Sequence, residues 1–278
     1  MECKLENITV YYESFGEGRL MVILPGWSLS HHHMVNDMEP LFTSRAGWKR
    51  LYLDLPGAGK TPGKDWITNQ DKILEVVLDF IDAVIPGQRF AVAGASAGAY
   101  LARGVVYRKP EWIDGVLLAV PLIVAEDARR DAPSHVTLVK DPVMMSKLAP
   151  EEVEVLQMAV VQSQGVLDTL RAILSSSGEM GDAKFLSRIR ENPQNYSFSF
   201  DVDALPSPCT APTLIIAGRQ DSSVGYRDAY KILENYPRGT FAVLDRAGHF
   251  LEAEQRTLFR VLASEWLDRV EEQAGAVK

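Results

Sequence analysis

Short apolar runs with little polar alternation recur along the chain, cut off by turns, and several are followed by a stretch of helical periodicity. The first is Leu20-Met21-Val22-Ile23-Leu24, ended by Pro25-Gly26. A strand that is apolar at every position is buried on both faces, as in a parallel sheet covered by helices. Arg50-Leu51-Tyr52-Leu53, Arg89-Phe90-Ala91-Val92-Ala93, Gly115 to Val120, Thr213 to Ala217 and Phe241 to Leu244 continue the pattern. Ile8, Val10 and Tyr12 alternate with polar neighbours, as in a half-exposed strand. Between these runs the spacing predicts helices over Asn69 to Ile85, Tyr100 to Tyr107 and Leu251 to Val270. The expected fold class is therefore α/β, with a mostly parallel central sheet flanked by helices.

The pattern breaks after Pro121. From about Val124 to Phe200 no buried strand is evident, and helical spacing follows Pro150 and Asp182. The expected organisation is a core of residues 1–123 and 205–278, interrupted by a helical segment at 124–204. A chain of 278 residues is long enough for one such domain with a full core.

The net charge of −8 argues against nucleic acid or an anionic membrane as the main partner. A small molecule is the expected partner. Two cysteines, Cys3 and Cys209, are no disulfide framework. The first residues lack a basic stretch leading into an apolar one, and no apolar run approaches the roughly 20 residues that cross a bilayer. The expected location is the cytoplasm.

Gly94-Ala95-Ser96-Ala97-Gly98 follows a predicted buried strand and leads into a predicted helix. G-x-S-x-G in that context describes a sharp turn that presents the serine hydroxyl, with the glycines allowing the two arms to approach. A serine hydroxyl needs a base, and the base needs an orienting acid. Of five histidines, His249 is best placed, in Gly248-His249 just past the last strand. Asp221, after the preceding strand, is the preferred acid; Glu126 and Asp127, after the Gly115–Val120 run, are the alternatives. Such loops lie at the carboxyl edge of a parallel sheet, where ligands gather.

On these motifs, together with Leu24-Pro25-Gly26-Trp27 and Asp54-Leu55-Pro56-Gly57-Ala58-Gly59-Lys60-Thr61, the chain resembles the α/β-hydrolase superfamily over nearly its whole length. The resemblance implies a catalytic triad of Ser96, Asp221 and His249. It also implies an oxyanion hole formed by the backbone N–H groups of Trp27 and Ala97, and a helical cap inserted after the sixth strand. Many relatives carry His-Gly where this chain has Pro25-Gly26; backbone donors do not depend on that side chain, so the hole is expected to survive. No cofactor or metal is implied. The leading activity is hydrolysis of a small carboxylic ester through an acyl-enzyme. The alternatives are amide, peptide or carbon–carbon bond hydrolysis on the same triad, or a catalytically silent small-molecule binder.

Other signals are weaker. Gly57 to Thr61 resembles the end of a phosphate-binding loop, but Pro62 disrupts the helix that should follow, so a surface turn is the better reading. His31-His32-His33 lacks metal-ligand spacing, yet it follows the oxyanion loop closely enough for one of the three to line the pocket. Arg129-Arg130 could hold a substrate carboxylate, although a solvated mixed-charge patch is favoured. Met144, Met145, Met158 and Met180 could line the cap, with ordinary packing the slightly preferred alternative.

Overall fold

The computed structural model describes residues 1–176 and 181–276. The N-terminal part runs β1 (Glu2–Lys4), β2 (Thr9–Phe15), β3 (Arg19–Leu24), α1 (His32–Phe42), β4 (Trp48–Leu53), α2 (Gln70–Val84), β5 (Phe90–Ala95), α3 (Ala97–Arg108) and β6 (Ile113–Ala119). Five helices follow before the next strand: α4 (Pro142–Met145), α5 (Pro150–Gln157), α6 (Gln164–Ser176), α7 (Ala183–Arg190) and α8 (Pro193–Tyr196). The chain then returns to the sheet through β7 (Thr213–Gly218), α9 (Arg227–Lys231), β8 (Gly239–Leu244), α10 (Leu251–Glu254) and α11 (Arg256–Ala276).

The eight strands lie in the order β1-β2-β4-β3-β5-β6-β7-β8. β1 and β2 pair antiparallel, β2 runs antiparallel to β4, and every later pairing is parallel. In β3, Leu20, Val22 and Leu24 face one core while Met21 and Ile23 face the other. This two-residue alternation with both faces buried is the reason the run contains no polar residue. α2 and α3 cover the first face; α1 and α11 cover the second, where Trp266 donates from Nε1 to the Pro212 carbonyl at 2.9 Å.

Helix ends follow local chemistry. Asn69 caps α2 by accepting from the Lys72 amide at 3.1 Å, and Asp182 caps α7 by accepting from the Phe185 amide at 3.0 Å. α3 begins at Ala97, immediately after Ser96, rather than at Tyr100. The predicted closing helix is two helices, α10 and α11, separated at Gln255. β1, α1 and α6 had no clear sequence signal. The helical segment has a small core of its own around Leu156, Ala159, Val160, Val166 and Leu170, and Phe250 and Ala253 pack against it. Among the described residues no helix is long and apolar enough to cross a membrane. Cys3 and Cys209 are both free and buried.

Candidate active site

Ser96 sits between β5 and α3 with φ 54° and ψ −117°. A left-handed φ is unfavourable for a side chain with a Cβ and is kept only where the surroundings enforce it. Here the Ser96 amide donates to the Ala119 carbonyl at 3.0 Å, and its carbonyl accepts from the amides of Ala99, Tyr100 and Leu122. The arms of the turn touch. A Cβ on Gly94 would stand 2.3 Å from the Gly98 carbonyl oxygen, and one on Gly98 would stand 2.3 Å from the Leu24 carbonyl oxygen and 2.4 Å from that of Pro25. The elbow thus has no room for larger residues, and Gly98 lies directly against the end of β3.

The same principle brings in His249. A Cβ on Gly218, at the end of β7, would stand 2.5 Å from the carbonyl oxygens of Ala247 and Gly248. The loop after β8 therefore crosses the end of β7 at close quarters, and His249 reaches the serine. His249 Nε2 is 2.9 Å from Ser96 Oγ, and His249 Nδ1 is 2.9 Å from Asp221 Oδ2. Asp221 is fully buried, and its Oδ1 accepts from the amides of Ser223 at 2.8 Å and Val224 at 3.0 Å.

Burial would raise the Asp221 pKa, but the imidazole charge, its hydrogen bond and the two amides hold the carboxyl below its ordinary value. Burial would likewise lower the pKa of His249, yet the charge and hydrogen bond of Asp221 hold it above its usual 6.5. The alternative acids face elsewhere. Glu126 pairs with Arg129, and Asp127 pairs with Arg130 and Arg190.

Ala97 is the first residue of α3, so its N–H has no carbonyl one turn earlier to bond. The contact of Gly98 with the Leu24 and Pro25 carbonyls sets the Pro25-Gly26-Trp27 loop beside the elbow. The Gly26 amide is committed to His33 Nδ1 at 3.2 Å, which leaves the Trp27 amide as the next donor along the loop. The histidine triplet thus divides. His33 braces this loop, and burial together with the nearby charge of His249 holds its pKa down to about 4, the neutral form an Nδ1 acceptor requires. His31 turns away: its ring and its amide both bond Asp54 Oδ1, at 2.8 and 2.7 Å. Asp54 Oδ2 also accepts from the Lys60 amide at 2.8 Å, and Gly59, at φ 54°, is pressed against that carboxylate, so Gly57 to Thr61 is a tight turn.

Arg130 differs from the solvated patch favoured by its charged neighbours. Its side chain is 8% exposed and donates to the carbonyls of Val124, Ala125 and Ser223, joining the start of the helical segment to the Asp221 loop. Arg129 is 74% exposed, as expected of a solvated residue. Tyr196, from α8, packs edge-on against Trp27 with ring centroids 5.0 Å apart, and the Arg190 guanidinium lies over the Tyr196 ring, 4.5 Å from its centroid. Met144 and Met145 pack in the helical segment's own core, Met158 is exposed, and Met180 lies outside the described residues. Among the described residues no group of three or more His, Cys, Asp or Glu side chains is arranged to hold a metal ion.

A sequence model of the alpha/beta hydrolase family matches residues 21–260. The chain belongs to the alpha/beta hydrolase family. A solved alpha/beta superfamily hydrolase from Oenococcus oeni PSU-1 superposes on this hydrolase with a TM-score of 0.86 at 26% identity, covering 98% of this chain and 99% of that one. A pimeloyl-[acyl-carrier protein] methyl ester esterase of Legionella pneumophila (strain Paris) is 22% identical over 94% of this chain and 100% of that protein. A 2-hydroxy-6-oxononadienedioate/2-hydroxy-6-oxononatrienedioate hydrolase of Cupriavidus pinatubonensis is 22% identical over 87% of this chain and 82% of its own length. This hydrolase thus resembles both a methyl ester esterase and a dioate hydrolase.

Two polar features of this α/β-hydrolase had no signal in the residue pattern. One is Glu254, whose carboxylate bonds backbone amides on two separate segments. The other is the pair Asp37 on α1 and Glu252 on α10, both buried. Burial pushes the Asp37 carboxyl up to about 7 and Glu252 well above its ordinary range. Both occur in helical stretches where a carboxylate normally faces water, and only the packing of α1 and α10 on their neighbours buries them.

Proposed function

We propose that the protein hydrolyses a small carboxylic ester with Ser96 as nucleophile, His249 as general base and Asp221 as the orienting acid. The observation that carries this reading is the unbroken hydrogen-bond line from Asp221 Oδ2 through the His249 ring to Ser96 Oγ, with 2.9 Å at each step. Ser96 Oγ attacks the acyl carbon while His249 Nε2 takes its proton, and Asp221 stabilises the imidazolium that forms. The Ala97 and Trp27 amides bind the developing oxyanion, each donor contributing about 3 kcal/mol. His249 Nε2 then protonates the departing alkoxide, leaving an acyl-enzyme. A water molecule, deprotonated by the same nitrogen, attacks the acyl carbon; the acid departs and Ser96 recovers its proton. Residues 124–204 act as a cap over this site. The contact of Tyr196 with Trp27 and the approach of Val160 to Gly248 support that role.

A second reading, hydrolysis of a carbon–carbon bond beside a carbonyl, is favoured by the similarity to the Cupriavidus dioate hydrolase. The triad would serve both reactions, so the substrate decides. A panel of short-chain esters, amides and vinylogous β-diketones, scored by kcat/KM against Ser96→Ala, separates them. The ester reading requires the highest values on esters and their loss in the variant. Preference for the diketones would replace it.

A further inference from the structure

The loop that carries His249 does not rest on the sheet alone. Glu254, the last residue of α10, turns its carboxylate back beneath that loop. Oε2 accepts from the Gly248 amide at 2.5 Å, while Oε1 accepts from the amides of Val160 at 2.6 Å and Val161 at 3.1 Å. Gly248 immediately precedes the base. Val160 and Val161 belong to the helical segment between β6 and β7, about ninety positions away in the chain. One carboxylate therefore holds two parts that share no secondary structure.

Both sides of this clasp are firmly built. On the helical segment, the Val160 carbonyl accepts from the amides of Leu138 and Val139, and the Gln162 amide donates to the Val139 carbonyl at 2.8 Å. Val160 and Val161 are also members of that segment's small core, into which Phe250, next to His249, packs. On the other side, Gly248 brings the chain so close that a Cβ there would stand 2.8 Å from Val160 Cγ2. Only an ionised carboxylate offers acceptors in both directions with no donor to clash. A glutamine would turn its NH₂ towards an N–H on one side and cut one half of the clasp.

We propose that Glu254 is a positioning residue whose carboxylate ties the base-bearing loop to the helical segment, so that the seating of that segment sets the alignment of His249. Its catalytic consequence rests on the assignment of His249 as the base. The clasp transmits order in both directions: loosening the small core around Leu156 frees Val160 and Val161, and through Glu254 it frees Gly248 and His249.

A double-mutant cycle tests this, using Glu254→Gln, Leu156→Ala and their combination, with kcat on a short p-nitrophenyl ester and amide hydrogen exchange as readouts. Leu156 is fully buried in the helical segment's core. Each single change is expected to lower kcat about tenfold with KM moving less than about threefold, the signature of a misaligned group rather than lost binding. The double variant is expected to be no slower than Glu254→Gln, because the connection is already cut. Exchange at Gly248 should quicken in step with Val160 and Val161 in Leu156→Ala, while amides of β5 and β6 stay protected.

Independent, multiplicative losses of kcat, or a wild-type kcat in Glu254→Gln, would overturn the proposal. If Glu254→Gln does not fold, Leu156→Ala decides alone: loosened Val160 and Val161 with Gly248 protected and kcat unchanged refute the clasp, and loosening of all three with a reduced kcat supports it. If the wild-type protein hydrolyses no ester, that result counts against the proposed function, and the exchange measurement still decides the clasp.

Discussion

At the scale of single residues, Asp221 acts on His249 twice. Its Oδ2 fixes which ring nitrogen carries the proton, and its charge holds the imidazole pKa above 6.5. His249 must be neutral to accept a proton, so kcat/KM should fall on acidification through an apparent pKa above 6.5, and a flat profile between about pH 5 and 8 would contradict the assignment. The ion-pair linkage has its own sign. The raised His249 pKa contributes stability below about 6.5 that is lost as pH rises through the folded value. The depressed Asp221 pKa contributes stability above about 3.8 that is lost as pH falls through its folded value. Asp221→Asn should lower kcat by about 10⁴-fold while leaving the circular dichroism spectrum unchanged, because it favours the wrong tautomer without altering shape. The juxtaposition of Ser96, His249 and Asp221 was legible because each falls in a loop just after a predicted strand. Glu254 and Arg130 were not, because their partners are backbone groups, some nearby and some about ninety positions away, which no side-chain pattern records.

At the scale of elements, glycines allow close approach at the carboxyl ends of β3 and β7. Gly98 meets the end of β3, and Gly218 meets the loop after β8. Gly98→Ala should cost about 1–3 kcal/mol of stability, read as a lower urea midpoint with unchanged m, because backbone carbonyls cannot move aside as a flexible side chain can. A midpoint equal to wild type would show that β3 yields freely at this point. The strands themselves were legible from their unbroken apolar runs. The break of the closing helix at Gln255 was not, because apolar spacing continues across it from Leu251 to Phe259. Nor was α1 evident, since it begins within the histidine triplet and carries Pro40 inside it.

At the scale of the whole molecule, the two faces of the sheet and the helical segment form three apolar cores, and α1 and α10 each bury a carboxyl, Asp37 and Glu252. Asp37 lies near Glu252, Arg256 and Arg260, with His33 Nε2 3.5 Å away and Asn36 donating to its Oδ1 at 3.0 Å. Its folded-state pKa of about 7 exceeds the ordinary 3.8, so the folded protein binds an extra proton between those values and stability declines as pH rises through that window. Asp37→Asn should therefore gain stability relative to wild type at pH 8 and lose that advantage by about pH 4; thermal midpoints at both pH values check this, and an advantage independent of pH would contradict it. The fold holds the Ser96 hydroxyl 2.9 Å from the His249 imidazole, and covalent capture reads that arrangement directly. Intact-mass and peptide mapping after reaction with a fluorophosphonate should find a single adduct on Ser96, greatly slowed in His249→Ala and absent in Ser96→Ala. A folded protein that remains unlabelled, or that is labelled equally fast without His249, would contradict the account.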